Sequence, residues 1–223
     1  MPDPEASREP DGAVRTAAEA PVQVGIQAVS FAVAVVGVPG ADMERDVERG
    51  TPAPALPTRS RPIEGEDFAA MRREQGASDL LRAAEAAVAE TRPDDDQLGL
   101  VHGDLWCGST LWDGDKLTAV LDWDCAGVGP AGIDLGSLRC DAAWRHGVKS
   151  AEHILPGWEA EAGRPARDLP YCDAVAALAS PPDMGWFQME MTGQGRTDLT
   201  CEVMLERRDA FLDAALSRLS VSR

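Results

Sequence analysis

Apolar and polar residues alternate between Val22 and Val35, and a period of two is typical of β-strands. The pattern predicts one or two strands, and Pro39-Gly40 ends the run. Residues 1–20 are rich in Pro, Glu, Asp and Ala without any period, which predicts a disordered leader. Residues 42–61 are charged and then rich in proline, as in a linker. We therefore divide the chain at residue 61, with leader, strands and linker before it.

Residues 62–223 have a mainly helical pattern, in which apolar residues recur every three or four positions. Ser78 is a good N-cap for one of these helices, and Asp134 and Asp168 are good N-caps for two others. Pro156 is expected to interrupt a further helix. Helices are predicted over residues 66–75, 78–91, 134–144, 150–163, 168–179 and 198–219. This part of the chain is therefore predicted to be an α+β domain, mostly helical around one small β element.

That β element is a predicted hairpin. The apolar runs 110–112 and 117–121 flank Asp113-Gly114-Asp115-Lys116, and Asp-Gly between apolar runs is a strong hairpin signal. A turn there brings the start of the first strand beside the end of the second. Ser109 and Asp122 are therefore expected at the same open end of the hairpin, with Asp104 a short loop away.

Two carboxylates and a hydroxyl are thus predicted to converge, and oxygen ligands of this kind suit Mg²⁺. An aspartate at the end of an apolar strand, such as Asp122, is costly without a partner, which favours a function for it. A purely structural role is the alternative for Asp104 and Asp122. Asp113 and Asp115 are interpreted as turn residues, and Asp124 as the cap of the following turn.

Composition narrows the choice of function. Lys and Arg number 21 against 38 Asp and Glu, a net charge of −17 that disfavours nucleic-acid and membrane-surface partners. The five cysteines are widely spaced and never form a C-x-x-C pair, which argues against a disulfide framework. This pattern favours a location in the reducing cytoplasm. The apolar run 22–38 contains Gln and Ser and is short for a membrane span.

The sequence His102-Gly103-Asp104, with Ser109 five residues after the aspartate and Asp122-Trp123 beyond the hairpin, resembles the aminoglycoside phosphotransferase family. The resemblance covers roughly residues 62–220 and implies a domain like the carboxy-terminal lobe of protein kinases. It implies ATP- and Mg²⁺-dependent phosphorylation of a small-molecule hydroxyl, as in an aminoglycoside, another antibiotic, an amino sugar or a related alcohol. Asp104 falls on the catalytic base and Asp122 on a metal ligand, while His102 and Asp134 fall on positions that support the loop.

The chain departs from the family pattern at two places. Ser109 stands where the family has a metal-binding asparagine, so it is predicted as a weaker metal ligand. The nucleotide-binding lobe is not recognisable: no lysine precedes His102, and no nucleotide-binding residue is identified. A non-catalytic, pseudokinase-like binding module is therefore the alternative function. A C-lobe without its partner lobe would expose apolar surface, and a homodimer is one way to cover it.

The substrate cannot be read from the segment after residue 180. Trp186, Phe187 and Met189 are large and apolar there, and core packing is the commoner use of such residues. Lining a pocket is the alternative.

Overall fold

The computed structural model describes residues 15–16, 56–91, 93, 98–113 and 116–221. Helices α1 to α7 span Phe68–Gln75, Asp79–Glu90, Gly132–His146, Ile154–Ala162, Leu169–Leu178, Gly185–Gly193 and Cys201–Val221. Strands β1 to β5 span Arg15–Thr16, Leu98–Val101, Thr110–Asp113, Lys116–Val120 and Gly127–Pro130. Short 3₁₀ turns occupy Cys107–Ser109, Trp123–Cys125 and Val148–His153. In the described ranges the chain is mostly helical around a small amount of sheet, as predicted.

The predicted hairpin is confirmed. Strands β3 and β4 pair antiparallel, with Asp113 opposite Lys116 and Thr110 opposite Val120. The ladder continues by one bond, because the Leu121 N–H donates to the Ser109 carbonyl at 2.8 Å. The ends of the two strands are therefore held together on the side away from the turn. A second antiparallel pair joins β2 to β5.

One short strand comes from the segment predicted to be a leader. Arg15–Thr16 (β1) pairs antiparallel with Leu111 and Trp112 of β3. Pairing of this kind uses backbone groups, so a segment without an apolar period can still occupy the free edge of a strand. The strands predicted between residues 22 and 35 lie outside the described residues. The division of the chain at residue 61 remains a prediction.

Local side-chain bonds explain where several helices begin. The Asp67 carboxylate accepts the Ala70 N–H at 2.8 Å and starts α1, and the Ser78 hydroxyl accepts the Leu81 N–H at 3.2 Å and starts α2, as predicted. The predicted cap at Asp134 is wrong, because α3 begins two residues earlier at Gly132 and the Asp134 side chain bonds elsewhere.

Two further helix predictions need correction. Pro156 does not interrupt α4, because it lies in the first turn of a helix that begins at Ile154, where the N–H that proline lacks has no partner in the helix. Helix α6 was not predicted. Its sequence, Gly-Trp-Phe-Gln-Met-Glu-Met-Thr-Gly, has glycine at both ends and leaves Trp186 and Met189 exposed, so it lacks a clear apolar stripe.

The helices pack around two apolar clusters. One is formed mainly by α2, α3, α5 and α7 and includes Phe211 and Leu212, and the other lies beneath the hairpin and includes Trp112 and Leu135. A buried ion pair ties α3 to α5, with Arg139 donating to both carboxylate oxygens of Asp173 at 2.9 and 3.1 Å. This pair ties α3 to α5, and α3 also carries the residues that hold the loop described next. Within the described residues, no helix is both long and apolar enough to cross a bilayer.

Candidate active site

The loop between β2 and β3, residues 102–109, carries Asp104. It begins with a sharp turn at Gly103, whose φ of +80° favours glycine. A side chain at this position would also collide with the backbone carbonyl of Cys125, so the loop approaches the segment after β4 closely. The turn thus places Asp104 beside the residues that follow the hairpin.

Asp134 holds this turn from helix α3. Its two carboxylate oxygens accept the backbone N–H groups of His102 at 2.7 Å and Gly103 at 2.8 Å. The side chain is buried, and burial raises the pKa of Asp134 to about 6 against the lowering effect of the two N–H donors. These contacts are those of a residue that supports the loop. Its importance for activity remains a prediction.

His102 links the loop to the end of the hairpin. Its Nδ1 accepts the Asp104 N–H at 3.3 Å, so Nε2 carries the hydrogen and donates to the Leu121 carbonyl at 2.7 Å. The imidazole is fully buried and packs against the ring of Trp123, with the centroids 4.8 Å apart. The side chain therefore lies behind the loop as a support rather than in the open cavity.

Ser109 closes the loop on itself. Its hydroxyl accepts the Trp106 N–H at 3.2 Å and has the carbonyls of Trp106 and Asp104 within reach, at 2.9 and 3.4 Å. The residue is only 2% exposed. In this arrangement the hydroxyl holds the loop backbone, and reaching a metal ion would require it to turn outward.

Asp122 follows β4 directly and has φ 64° and ψ 60°, a left-handed conformation that is uncommon for residues other than glycine. The chain turns sharply here into the 3₁₀ turn Trp123–Cys125, and Asp122 is exposed. Strained backbone of this kind costs roughly 1 kcal/mol or more and is frequent at functional sites. The turn places Asp122 at the end of the hairpin, next to the 3₁₀ turn.

Asp104 and Asp122 line the same cavity, which has a volume of about 190 Å³. The other charged groups on its wall are Asp141, Glu190 and the guanidinium of Arg145. Aromatic side chains supply much of the remaining surface, namely Trp106, Trp144, Trp186 and Phe187. Of the residues singled out from the sequence, the structure thus brings Asp104 and Asp122 onto one surface. His102, Ser109 and Asp134 are buried at or behind the loop that carries Asp104.

The environment of Asp104 alters its acidity. Partial burial raises the pKa of Asp104 to about 6, and the neighbouring imidazole of His102 opposes this rise. The negative charges of Asp122, Asp141 and Glu190 raise the pKa further. A carboxylate with this pKa is ionised at neutral pH and is more basic than an ordinary aspartate.

Three charged residues on the cavity wall were missed from the sequence. Asp141 of α3 accepts the Cys107 N–H at 3.1 Å and pairs with Arg145, whose Nε lies 2.5 Å from its Oδ1. The Arg145 guanidinium lies 4.6 Å from the ring centroid of Trp106, within the loop, and the same distance from that of Trp144. The i, i+4 spacing of Asp141 and Arg145 was a signal for their pairing. Nothing in the sequence showed that α6 would bring Glu190 to the same place.

The predicted core packing is wrong for Trp186 and Met189, two of the three large apolar residues singled out after residue 180. Trp186 is 49% exposed and Met189 73% exposed. Phe187 packs against the apolar cluster formed by α2, α3, α5 and α7, and it also lines the cavity. The cavity therefore has an aromatic wall from α6.

A mostly helical fold with a small hairpin, in which two loops bring Asp104 and Asp122 to one cavity, resembles the carboxy-terminal lobe of kinase-like phosphotransferases. Comparison with family models extends this: the sequence matches the Phosphotransferase enzyme family over residues 7–169. The chain belongs to this family. The resemblance based on motifs covered roughly residues 62–220. The family match begins further upstream, at residue 7, and includes Asp104, Asp122 and Asp134.

Several solved structures have a backbone fold similar to that of this chain. Macrolide 2'-phosphotransferase MphH from Brachybacterium faecium is 23% identical, with a TM-score of 0.50 over 89% of this chain and 62% of its own. A putative aminoglycoside phosphotransferase from Ralstonia eutropha JMP134 is 14% identical, with a TM-score of 0.50 over 92% and 69%. A thermostable mutant of aminoglycoside phosphotransferase APH(4)-Ia, in a ternary complex with AMP-PNP and hygromycin B, is 17% identical, with a TM-score of 0.53 over 95% and 71%.

These similarities show a shared fold. The chain spans 62% of the length of the macrolide phosphotransferase, which is less than two thirds. Comparison with curated proteins gives no significant match.

Proposed function

We propose that this chain transfers the γ-phosphate of ATP to a hydroxyl group of a small molecule, with Asp104 as the catalytic base. The observation that carries the proposal is that Asp104 and Asp122 line one cavity in a member of the Phosphotransferase enzyme family. Phosphoryl transfer depends on positioning and on neutralisation of charge more than on covalent chemistry. A cavity with two carboxylates on its wall suits that task.

Asp104 would accept the proton of the substrate hydroxyl. The partial burial that raises its pKa to about 6 makes it a stronger base than a solvated aspartate, yet leaves it mostly ionised at pH 7. Asp134, His102 and the Asp141–Arg145 pair fix the loop on both sides of Asp104, so the carboxylate is held in place before the substrate binds.

Asp122 would hold Mg²⁺. The residues fit such an ion in part: magnesium commonly takes one or two carboxylates and completes its shell with water and substrate phosphates, and Asp122 is exposed beside Asp104. In the described ranges no group of three or more His, Cys, Asp or Glu side chains lies close enough to enclose a metal by itself. When bound, the ion would neutralise charge on the phosphate oxygens. Ser109 is the weaker of the proposed ligands, because its hydroxyl faces the loop.

Use of a nucleotide is supported by relatives of the same fold. The APH(4)-Ia mutant was crystallised with AMP-PNP and hygromycin B, and another crystal of that enzyme contains ADP and hygromycin B.

The test is formation of ADP by the purified chain with Mg²⁺, ATP and a panel of aminoglycosides, macrolides, amino sugars and choline-like alcohols. At least one compound is expected to stimulate ADP formation, and Asp104→Asn is expected to reduce the stimulated rate by 10²-fold or more. Asp113→Asn is the matched control, because Asp113 is an exposed aspartate of the same hairpin. Equal rates for Asp104→Asn and the native chain would remove Asp104 as the base.

A non-catalytic binding module is the second candidate, and the inward-facing hydroxyl of Ser109 favours it. Such a module would bind the small molecule and gain thermal stability without forming ADP. Its binding would also be insensitive to Mg²⁺-ATP. Ligand-dependent ADP formation would exclude this candidate.

A further inference from the structure

Residues 57–64 lie against β5, next to the two loops that carry the aspartates. This segment begins within the proline-rich stretch predicted to be a linker, yet backbone hydrogen bonds attach it to the sheet. The Val128 N–H donates to the Pro57 carbonyl at 2.9 Å, and the Arg59 N–H donates to the Val128 carbonyl at 2.8 Å. The segment therefore pairs in parallel with β5.

A glycine of β5 allows this close approach. A Cβ atom at Gly127 would lie 2.4 Å from the carbonyl oxygen of Pro57 and 2.4 Å from Cγ of Arg59. Any larger residue at this position would push the segment away from the sheet. The stem of the Arg59 side chain thus passes directly over Gly127 toward the residues that precede β5.

The Arg59 guanidinium binds the turn that follows Asp122. Its Nε donates to the Cys125 carbonyl at 2.8 Å, and its Nη2 donates to the Ala126 carbonyl at 3.3 Å. Its Nη1 donates to the Glu64 carboxylate at 2.9 Å, which ties the turn to the far end of the segment. The side chain is only 17% exposed. Because a guanidinium presents its donors in a rigid fork, one residue fixes all three partners relative to each other.

The far end of the segment holds the turn before Asp104. The Ile63 N–H donates to the Gly103 carbonyl at 2.8 Å. Ile63 also lines the cavity that contains Asp104 and Asp122. Its φ of +50° is rare for a β-branched residue, and strained backbone of this kind is frequent at functional sites. One short segment therefore binds both aspartate-bearing turns, through Ile63 at the first and Arg59 at the second.

We propose that Arg59 is a positioning residue, which clamps the turn after Asp122 to the turn before Asp104 and so fixes the spacing of the two carboxylates. This inference rests on the proposed function, in which Asp104 takes the proton and Asp122 holds the metal ion. Phosphoryl transfer depends on such positioning, and a misplacement of about 1 Å can cost on the order of 10²-fold in rate. Arg59 acts through the backbone, because its partners are two carbonyls and Glu64.

The first measurement is amide hydrogen–deuterium exchange of the full chain without nucleotide, followed by mass spectrometry of peptides covering residues 102–109 and 121–130. Arg59→Met should accelerate exchange in residues 121–130 by about tenfold or more, because two hydrogen bonds from a charged donor are lost. Residues 102–109 should also exchange faster, since the tie to Glu64 is lost as well. Arg59→Lys keeps the charge but lacks the fork, so it should resemble Arg59→Met.

Arg61→Met is the matched control. Arg61 lies two residues from Arg59, and its Nη2 donates within the same segment, to the Glu64 carbonyl at 3.4 Å. Its substitution removes the same charge and should leave the exchange of both peptides unchanged. Circular dichroism checks that each variant is folded. If Arg59→Met does not fold, the comparison of Arg59→Lys with Arg61→Met decides.

The second measurement is the Mg²⁺ concentration that gives half-maximal ADP formation with ATP and an acceptor. Arg59→Met should raise this concentration by about tenfold, because the turn that presents Asp122 is loosened, whereas Arg61→Met should leave it unchanged. A residue that only stabilised the fold would not change the Mg²⁺ requirement of the folded enzyme.

The inference is overturned by equal exchange in Arg59→Met and Arg61→Met, by native exchange in Arg59→Lys, or by a native Mg²⁺ requirement in an active Arg59→Met variant. Failure of the proposed function is a different result, namely no ADP formation by the native chain with any acceptor. Faster exchange of both peptides in Arg59→Met would in that case support the clamp and count against phosphoryl transfer.

Discussion

Replacing Asp104 by asparagine should make the protein more stable at alkaline pH. The carboxylate is partly buried near three other carboxylates, and its pKa rises from 3.8 to about 6 as a result. At pH 8 this rise corresponds to roughly 3 kcal/mol of unfavourable free energy in the folded state. Solvent that reaches the side chain reduces the effect, so we expect Asp104→Asn to raise the free energy of unfolding by about 1–3 kcal/mol at pH 8.

The sign of the pH dependence follows from the same shift. A carboxyl group with a raised pKa binds its proton more tightly in the folded state than in the unfolded state, so its unfavourable contribution disappears as the pH falls from about 6 toward 4. The stability difference between Asp104→Asn and the native chain should therefore shrink below about 1 kcal/mol at pH 4.

Urea denaturation at pH 8 and pH 4, followed by far-ultraviolet circular dichroism, measures both values. Asp113→Asn is the control, because this exposed carboxylate should change stability little at either pH. A loss of stability in Asp104→Asn at pH 8 would refute the reasoning. So would a gain of equal size at pH 4, since burial of the ionised group would then not be its cause.

Two further predictions test the loop and the base. If the chain phosphorylates a substrate, kcat/KM should fall about tenfold between pH 7 and pH 5, because Asp104 with a pKa of about 6 is mostly protonated at pH 5; a pH-independent rate over this range would contradict its role as base. Gly103→Ala should lower the free energy of unfolding by about 3 kcal/mol or more, because the new methyl group would meet the Cys125 carbonyl. Gly195 has a similar φ of +82° but open space around it, so Gly195→Ala should lower the free energy of unfolding by only about 1 kcal/mol. Urea denaturation measures both values. Equal losses in the two glycine variants would show that the contact with Cys125 is unimportant.

The sequence was informative where structure depends on nearby residues. The hairpin follows from Asp-Gly between two apolar runs, and its antiparallel geometry brings Ser109 and the segment before Asp122 together. The loop from His102 to Ser109 is short, so the position of Asp104 beside the hairpin end followed from the same local pattern.

The opposite wall of the cavity depends on tertiary packing and could not be predicted in the same way. Glu190 lies 86 positions after Asp104 and reaches the cavity through a helix without a clear apolar stripe. The role of Asp134 in supporting the loop was expected from the family resemblance, but the local sequence pattern predicted a helix cap instead. An aspartate near a helix start is an ordinary cap by sequence, and only the packing of α3 against the loop turns its carboxylate toward His102 and Gly103.

Some predictions lie beyond the structure. The strands expected at residues 22–35 fall outside the described ranges, and the homodimer and the cytoplasmic location remain predictions. The family match from residue 7 shows that the amino-terminal part of the chain contributes to the similarity with phosphotransferases.

The central claim is that Asp104 and Asp122 act together in one phosphoryl-transfer site. The most direct measurement is transfer of the labelled γ-phosphate of ATP to a small-molecule acceptor by the native chain, Asp104→Asn, Asp122→Asn and the double variant. Residues that act as a unit are strongly non-additive, so each single variant should lose nearly all transfer and the double variant should lose no more. Native rates in Asp122→Asn, or losses that simply multiply in the double variant, would contradict the claim.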